Sequence, residues 1–219
     1  MHICKFYCNF VAEMRLVFAS NNEHKLAEVR AMMPKDVRIL SLKEIGFLSE
    51  IEEYGTTLNE NSRIKADAVW AWLQTHPLQQ PVDGVFADDT GLEIDALNGE
   101  PGVYTARWAE RETGIHLSEM ETYAANRQKA LRELNNHSNR ACQFKTVITL
   151  IINGEVKQVE GIVRGIITTQ EYGTGGFGYD PIFIPDGYDK TFGELSAETK
   201  NKISHRANAI TELVKLLAE

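Results

Sequence analysis

Five short segments carry residue types that, at these spacings, can handle a phosphorylated ligand. In the first, Ser20-Asn21-Asn22-Glu23-His24-Lys25 follows the apolar run Leu16 to Ala19 and precedes apolar residues at helical spacing. A strand, a polar turn and a helix start gather unpaired backbone N–H groups at one point, backed by the positive end of the helix dipole. Lys25 lies in the first helical turn and can reach over the same anion. An ordinary N-cap with a solvated lysine has the same sequence. In the second, Phe86-Ala87-Asp88-Asp89-Thr90-Gly91 sets adjacent carboxylates at the expected end of a buried strand, with Gly91 expected to turn the chain. Buried carboxylates need a positive neighbour, and Mg²⁺ takes a few of them while keeping water or phosphate oxygens. A solvated acidic turn is the alternative.

The third segment, Glu52-Glu53 followed by Gly55-Thr56-Thr57, Asn59, Glu60, Asn61 and Lys65, is weak by itself, because acidic residues before a helix suit its dipole. The fourth, Gly173-Thr174-Gly175-Gly176-Phe177-Gly178-Tyr179-Asp180-Pro181, matches G-x-G-x-x-G letter for letter. A dinucleotide-binding loop must open a helix, whereas Pro181 to Pro185 continues as extended chain. The segment reads instead as a loop that brings backbone close to a flat ligand, with Phe177 available for stacking. The fifth is Lys200 with Ser204-His205-Arg206 at the start of the last helix. Cations are disfavoured at a helix N-terminus, so these donors are expected to face an acceptor such as a purine carbonyl or a phosphate. A chance basic cluster is the alternative.

The elements that must hold these residues follow from periodicity. Strands are expected at Leu16 to Ala19, Val37 to Leu42, Gly84 to Ala87 and Leu92 to Leu97. Helices are expected after Asn22 up to Pro34, from Thr57 or Asn59 to about Gln74, from Tyr123 to Leu134, and from Ser204 to Leu217. Two alternating runs, Gln143 to Ile152 and Val156 to Ile167, flank Asn153-Gly154, a strong hairpin signal. Alternating strands and helices followed by an antiparallel hairpin imply an α/β chain with a mixed sheet, forming one compact unit.

The chain has 219 residues, 43% hydrophobic and 25% charged, as in an ordinary globular protein. A net charge of −8 argues against a surface built to coat nucleic acid. The three cysteines, Cys4, Cys8 and Cys142, give no metal or disulfide framework. No apolar stretch approaches a membrane span, and the first residues lack a signal-peptide pattern, so a cytoplasmic location is expected. Met14-Arg15-Leu16 looks like a natural start, which makes residues 1–13 an expected extension outside the fold.

Together, ASNNEHK, EEYGTTLNENSRIKA, FADDTGLEIDAL, GVYTARW, GTGGFGYDPIF and KNKISHRANA resemble, in order, the inosine triphosphate pyrophosphatase family, also called XTP/dITP diphosphatases. The resemblance runs from about Arg15 to the end. It implies an elongated mixed sheet with helices in a single domain, residues 14–219, whose two lobes flank a central active-site cleft, usually in a homodimer. It implies hydrolysis of ITP, dITP and XTP to monophosphate and pyrophosphate with Mg²⁺ as cofactor. Ser20, Asn21, Asn22, Glu23, His24 and Lys25 would hold the triphosphate, helped by Lys65. Glu53 and Asp89 would anchor the metal, with Asp89 the proton acceptor and Lys25 and Lys65 beside it in catalysis. Thr90 takes a substrate-contact position. Phe177, Gly178, Tyr179 and Asp180 would frame the base, and Lys200, His205 and Arg206 complete the pocket.

Donors on His205 and Arg206 suit the C6 carbonyl of hypoxanthine or xanthine and oppose adenine's amino group. Alanine at either position is therefore expected to lower ITP turnover far more than it alters folding. A related pyrophosphatase of different base preference and a non-catalytic nucleotide sensor are the rival readings.

Overall fold

The computed structural model describes residues 13–218. The expected extension at residues 1–13 therefore lies, but for Glu13, outside the described residues, as do Cys4 and Cys8.

The apolar run at the start forms β1 (Met14–Phe18), and Asn22 caps α1 (Glu23–Met32) by accepting the Lys25 N–H at 2.9 Å. The chain continues through β2 (Val37–Ser41) into α2 (Leu42–Ile45), a one-turn helix that the sequence reading absorbed into the strand. Its signal was a capping box, Ser41 with Glu44 three residues on, which satisfies two orphan donors reciprocally. A second such box, Thr57 with Glu60, opens α3 (Leu58–Thr75).

β3 (Gly84–Ile94) is one strand of 11 residues and does not turn at Gly91. Glycine is required there because a Cβ would stand 2.9 Å from the carbonyl oxygen of Gly102 in β4 (Pro101–Gly102). The expected strand at Leu92 to Leu97 is thus the end of β3, followed by a short 3₁₀ turn. α4 (Trp108–Thr113) was not expected, and α5 (Glu119–Glu133) begins four residues before Tyr123, behind a Ser118–Glu121 capping box. The polar first turn of α5 lacks the apolar spacing from which a start can be read.

The hairpin forms as expected: β5 (Ala141–Ile152) and β6 (Glu155–Ile167) are joined by Asn153 and Gly154, both at positive φ. β7 (Phe183–Pro185), the unexpected α6 (Ala197–Ile203) and α7 (His205–Leu217), capped by Ser204, complete the chain.

The sheet order is β2-β1-β3-β5-β6-β7, with β4 pairing β3. β1 runs parallel to β2 and β3, and the remaining pairs are antiparallel. Strand alternation divides the core. Leu16, Phe18 and Phe86 face α1 and α7, while Val17, Val85 and Ala87 face α2 and α3. The far ends of β3, β5 and β6 carry a third cluster beneath α5 and β7, including Leu92, Phe144 and Ile167. The sheet is therefore mixed, as expected, and three apolar clusters pack against it. Among the described residues no helix is long and apolar enough to cross a membrane.

α7 lies directly on β6 at Gly161, where an added Cβ would overlap the His205 carbonyl oxygen and the Ala209 nitrogen. Gly161→Ala should lower the unfolding free energy by about 1–3 kcal/mol through overpacking, read in a urea titration. An unchanged midpoint would show that α7 lifts freely from the sheet.

Candidate active site

Asp88 and Asp89 are adjacent in β3, so strand alternation sends their side chains to opposite faces. Asp88 points toward α1 and α7. Its Oδ1 accepts from Lys25 Nζ at 2.9 Å, and its Oδ2 accepts from Nε and Nη2 of Arg206 at 3.1 and 3.0 Å. Asp88 and Arg206 are each 1% exposed, so their charges are compensated by protein partners rather than by water. Burial works against the ionised carboxylate, but Lys25 and Arg206 outweigh it and hold the Asp88 pKa well below the usual range. Asp88 is thus committed to two cations, which corrects the reading of Asp88-Asp89 as a joint metal pair.

Asp89 points the other way, toward α3. Lys65 Nζ donates to Asp89 Oδ1 and to Glu53 Oε2, both at 3.0 Å. Asp89 Oδ2 is buried and has no partner. Burial raises the Asp89 pKa, with Lys65 opposing. Burial likewise disfavours the Lys65 charge, yet Asp89 and Glu53 more than restore it, so its pKa is raised. Glu53 lies in the loop before α3, tethered by the Gly55 N–H to Asn61 Oδ1 at 2.8 Å. Two carboxylates, one with an orphan buried oxygen, fit Mg²⁺, which takes few protein ligands and fills its octahedron from phosphate and water. Among the described residues no cluster of three or more His, Cys, Asp or Glu could hold a metal.

These groups line a cavity of about 380 Å³, within the range of small-molecule sites. Of the expected site residues, Ser20, Asn21, Asn22, Lys25, Glu53, Lys65, Asp89, Thr90, Phe177, Gly178, Tyr179, Asp180, Lys200, His205 and Arg206 all border it. Glu23 and His24 do not: both are exposed beside the cavity on the first turn of α1.

The glycine loop takes its shape from Asp180. Its Oδ2 accepts the Phe177 N–H at 2.7 Å and Lys200 Nζ at 2.5 Å. Gly176 has φ +69°, and a Cβ there would overlap that carboxylate. Tyr179 is a wall rather than a donor into the cavity, since its hydroxyl donates to the Thr105 carbonyl at 3.0 Å.

Sequence reasoning missed Glu28. It accepts from Arg206 Nη1 at 2.5 Å and from Lys200 Nζ at 2.7 Å, and these cations depress its pKa against the opposing effect of burial. The available signal was the unexplained pair of cations near the start of α7, which required counter-charges. Tyr123, Asn126, Val103 and the stretch Thr105 to Arg107 also line the cavity. Asn126 anchors that stretch by donating to the carbonyls of Thr105 and Ala106 at 3.3 and 3.0 Å.

His205 stacks on Phe144 at 4.7 Å, and its Nδ1 is buried without a partner. Burial, reinforced by Arg206 and Lys200, pushes its pKa well below the ordinary range, so the ring is neutral. Arg206→Ala would leave Asp88 with Lys25 alone and Glu28 with Lys200 alone, so this change weakens folding as well as any contact with a ligand. That revises the sequence-based expectation for Arg206.

Asp88→Asn leaves Lys25 and Arg206 short of a buried counter-charge and should cost about 3–5 kcal/mol of stability, read by chemical denaturation at neutral pH. A loss under about 1 kcal/mol, the level of an exposed pair, would mean that water compensates these cations.

The Ham1 family model matches residues 16–216. A protein of Flavobacterium johnsoniae named dITP/XTP pyrophosphatase is 47% identical over 204 residues, covering 93% of this chain and 98% of the relative. One of the same name from Bacillus subtilis is 42% identical over 205 residues, covering 92% and 96%. The solved structure of the Staphylococcus aureus Ham1 protein superposes with a TM-score of 0.77 at 38% identity, covering 93% of this chain and 98% of that one. Fold, motif order and similarity along nearly the whole chain agree, and the chain belongs to the Ham1 family.

Proposed function

We propose that this protein hydrolyses the aberrant purine nucleotides ITP, dITP and XTP to nucleoside monophosphate and pyrophosphate with Mg²⁺, removing them from the nucleotide pool. The observation that carries the reading is Asp89, a buried carboxylate with a free Oδ2, facing Glu53 across Lys65. This group lies in a cavity bounded by a helix start suited to anions and by an aromatic loop suited to a base. Relatives named dITP/XTP pyrophosphatase that align over nearly the whole chain support the substrate class. A cytoplasmic homodimer completes the reading, on the family resemblance.

The chain's own groups divide the work. The N-terminal turn of α1 and Lys25 receive the phosphates. Asp89, the proton acceptor in this reading, takes up the proton released as water attacks the α-phosphorus. The bond from that phosphorus to the bridging oxygen breaks, and pyrophosphate departs. Lys65 keeps a positive charge beside the reacting centre. Glu53 and Asp89 would hold the Mg²⁺, which when bound neutralises phosphate oxygens and the departing pyrophosphate.

Phe177 offers its ring to the base. Arg206 commits Nε and Nη2 to Asp88 and Thr90, and Nη1 to Glu28. His205, which borders the cavity and holds no such ion pairs, is therefore the freer reader of the purine edge.

Incubation with ITP, dITP, XTP, GTP and ATP, with and without Mg²⁺, should give metal-dependent pyrophosphate from the first three and little from the others. Orthophosphate as sole product, or no product, would overturn the reaction. Asp89→Asn should lower kcat about a hundredfold or more while ITP still binds. Retention of full kcat would remove Asp89 as the proton acceptor.

A further inference from the structure

The motif that opens α1 was expected to serve the triphosphate as a block, but His24 faces elsewhere. It is absent from the cavity lining, although its neighbours Asn22 and Lys25 are part of it. Its imidazole lies instead against Phe177, with ring centroids 5.2 Å apart and planes only 13° from parallel. Phe177 itself borders the cavity, and beside the His24 stack its ring centroid lies 4.7 Å from Lys200 Nζ and 5.9 Å from the Arg206 guanidinium carbon. Tyr123 closes the corner, tilted against Phe177 at 6.0 Å and against His24 at 6.5 Å.

We infer that His24 is a positioning residue for base recognition, backing Phe177 so that the helix receiving the phosphates also fixes the wall against which the base stacks. This rests on the proposed reading of the site.

The geometry explains why a backing is needed. Phe177 sits in a loop between Gly176 and Gly178, both at positive φ, where the backbone restrains the ring least. Its main chain is tied to Asp180 twice, the Phe177 N–H donating to Oδ2 and its carbonyl accepting the Asp180 N–H at 3.2 Å, which fixes the backbone and leaves the ring's orientation to its packing partners. A parallel aromatic partner on a regular helix supplies the missing restraint, and such pairs contribute beyond their buried area. Asn22 holds that helix start in place. Its side-chain oxygen caps α1, and its amide donates to Tyr123 Oη at 3.1 Å and to Glu119 Oε1 at 3.2 Å. α1, α5 and the glycine loop therefore meet at this aromatic corner. A base stacking on Phe177 benefits from a wall already in position, so its ordering is not charged to binding.

Three variants separate this role from a charge role toward phosphate. His24→Ala should raise KM for ITP about three- to tenfold, the range of one aromatic pair, with kcat changed less than KM. His24→Phe, which keeps a ring and no charge, should restore KM. His24→Lys, a charge without a ring, should behave like alanine. Rescue by lysine but not phenylalanine would assign His24 to the phosphates, and an unchanged KM in His24→Ala would deny it any role; either overturns the inference.

The stack is also visible without substrate. In a ¹H–¹³C spectrum of the intact protein the His24 ring protons should shift on Phe177→Leu as the ring current disappears. Unmoved signals would mean that the rings are apart in solution. Wild-type protein that releases no pyrophosphate from ITP would instead defeat the functional reading, leaving the stack to be judged by the spectrum alone.

Discussion

The structure around the cleft depends on one buried carboxylate. Asp88 accepts from Lys25 on α1 and from Arg206 on α7, and so ties both helices to the middle of the sheet. Taking such charges out of water is expensive and is repaid only when every lone pair and proton finds a partner. The partners continue outward: Arg206 donates to Glu28, Glu28 accepts from Lys200, and Lys200 donates to Asp180. The chain of alternating charges begins beside the phosphate turn and ends at the loop that carries Phe177. The positions of the phosphate and base ends are thus not independent.

Charge balance separates this network from the catalytic face. Lys25, Arg206 and Lys200 stand against Asp88, Glu28 and Asp180, three cations for three acids. Across the sheet, Lys65 stands alone between Glu53 and Asp89. That side is one positive charge short and carries an oxygen without a donor. The proposed divalent cation with its own anionic substrate would answer both features, whereas the charges on the Asp88 side already match one another. The proposed placement of the metal therefore rests on electrostatic deficit as much as on ligand type.

Much of this was legible in the chain. Strand-turn-helix at Ser20 to Lys25, the Asn153-Gly154 hairpin and the amphipathic last helix all follow from spacing and cap chemistry, and they stand where expected. The short helices α2, α4 and α6 were invisible because four to seven residues carry too little periodicity to register. Gly91 was misread because a glycine after acidic residues looks the same whether it turns the chain or admits a neighbouring backbone. Glu28 was missed for a physical reason too. On a helix surface a glutamate is ordinary, and only the tertiary fold reveals that two buried cations lie over it. The motif segments announced the site's chemistry, but their mutual assignments were fixed by long-range packing.

The division between Asp88 and Asp89 shows how little sequence distance such an assignment requires. Neighbours in a strand face opposite sides, so one residue of register decides which carboxylate meets Arg206 and which meets Lys65. β3 is held in register by β5 along all eleven of its residues, Gly84 opposite Ile152 through Ile94 opposite Cys142. β1 fixes its other edge by pairing Leu16, Val17 and Phe18 with Gly84, Val85 and Phe86. A slip by one position would expose Phe86 to the wrong core and bring Asp89 to the cations of α1 and α7, leaving Lys65 with Glu53 alone. The long hairpin, which contributes few residues to the cleft itself, therefore holds the strand that sends one aspartate to the buried ion network and the next to Lys65 and Glu53.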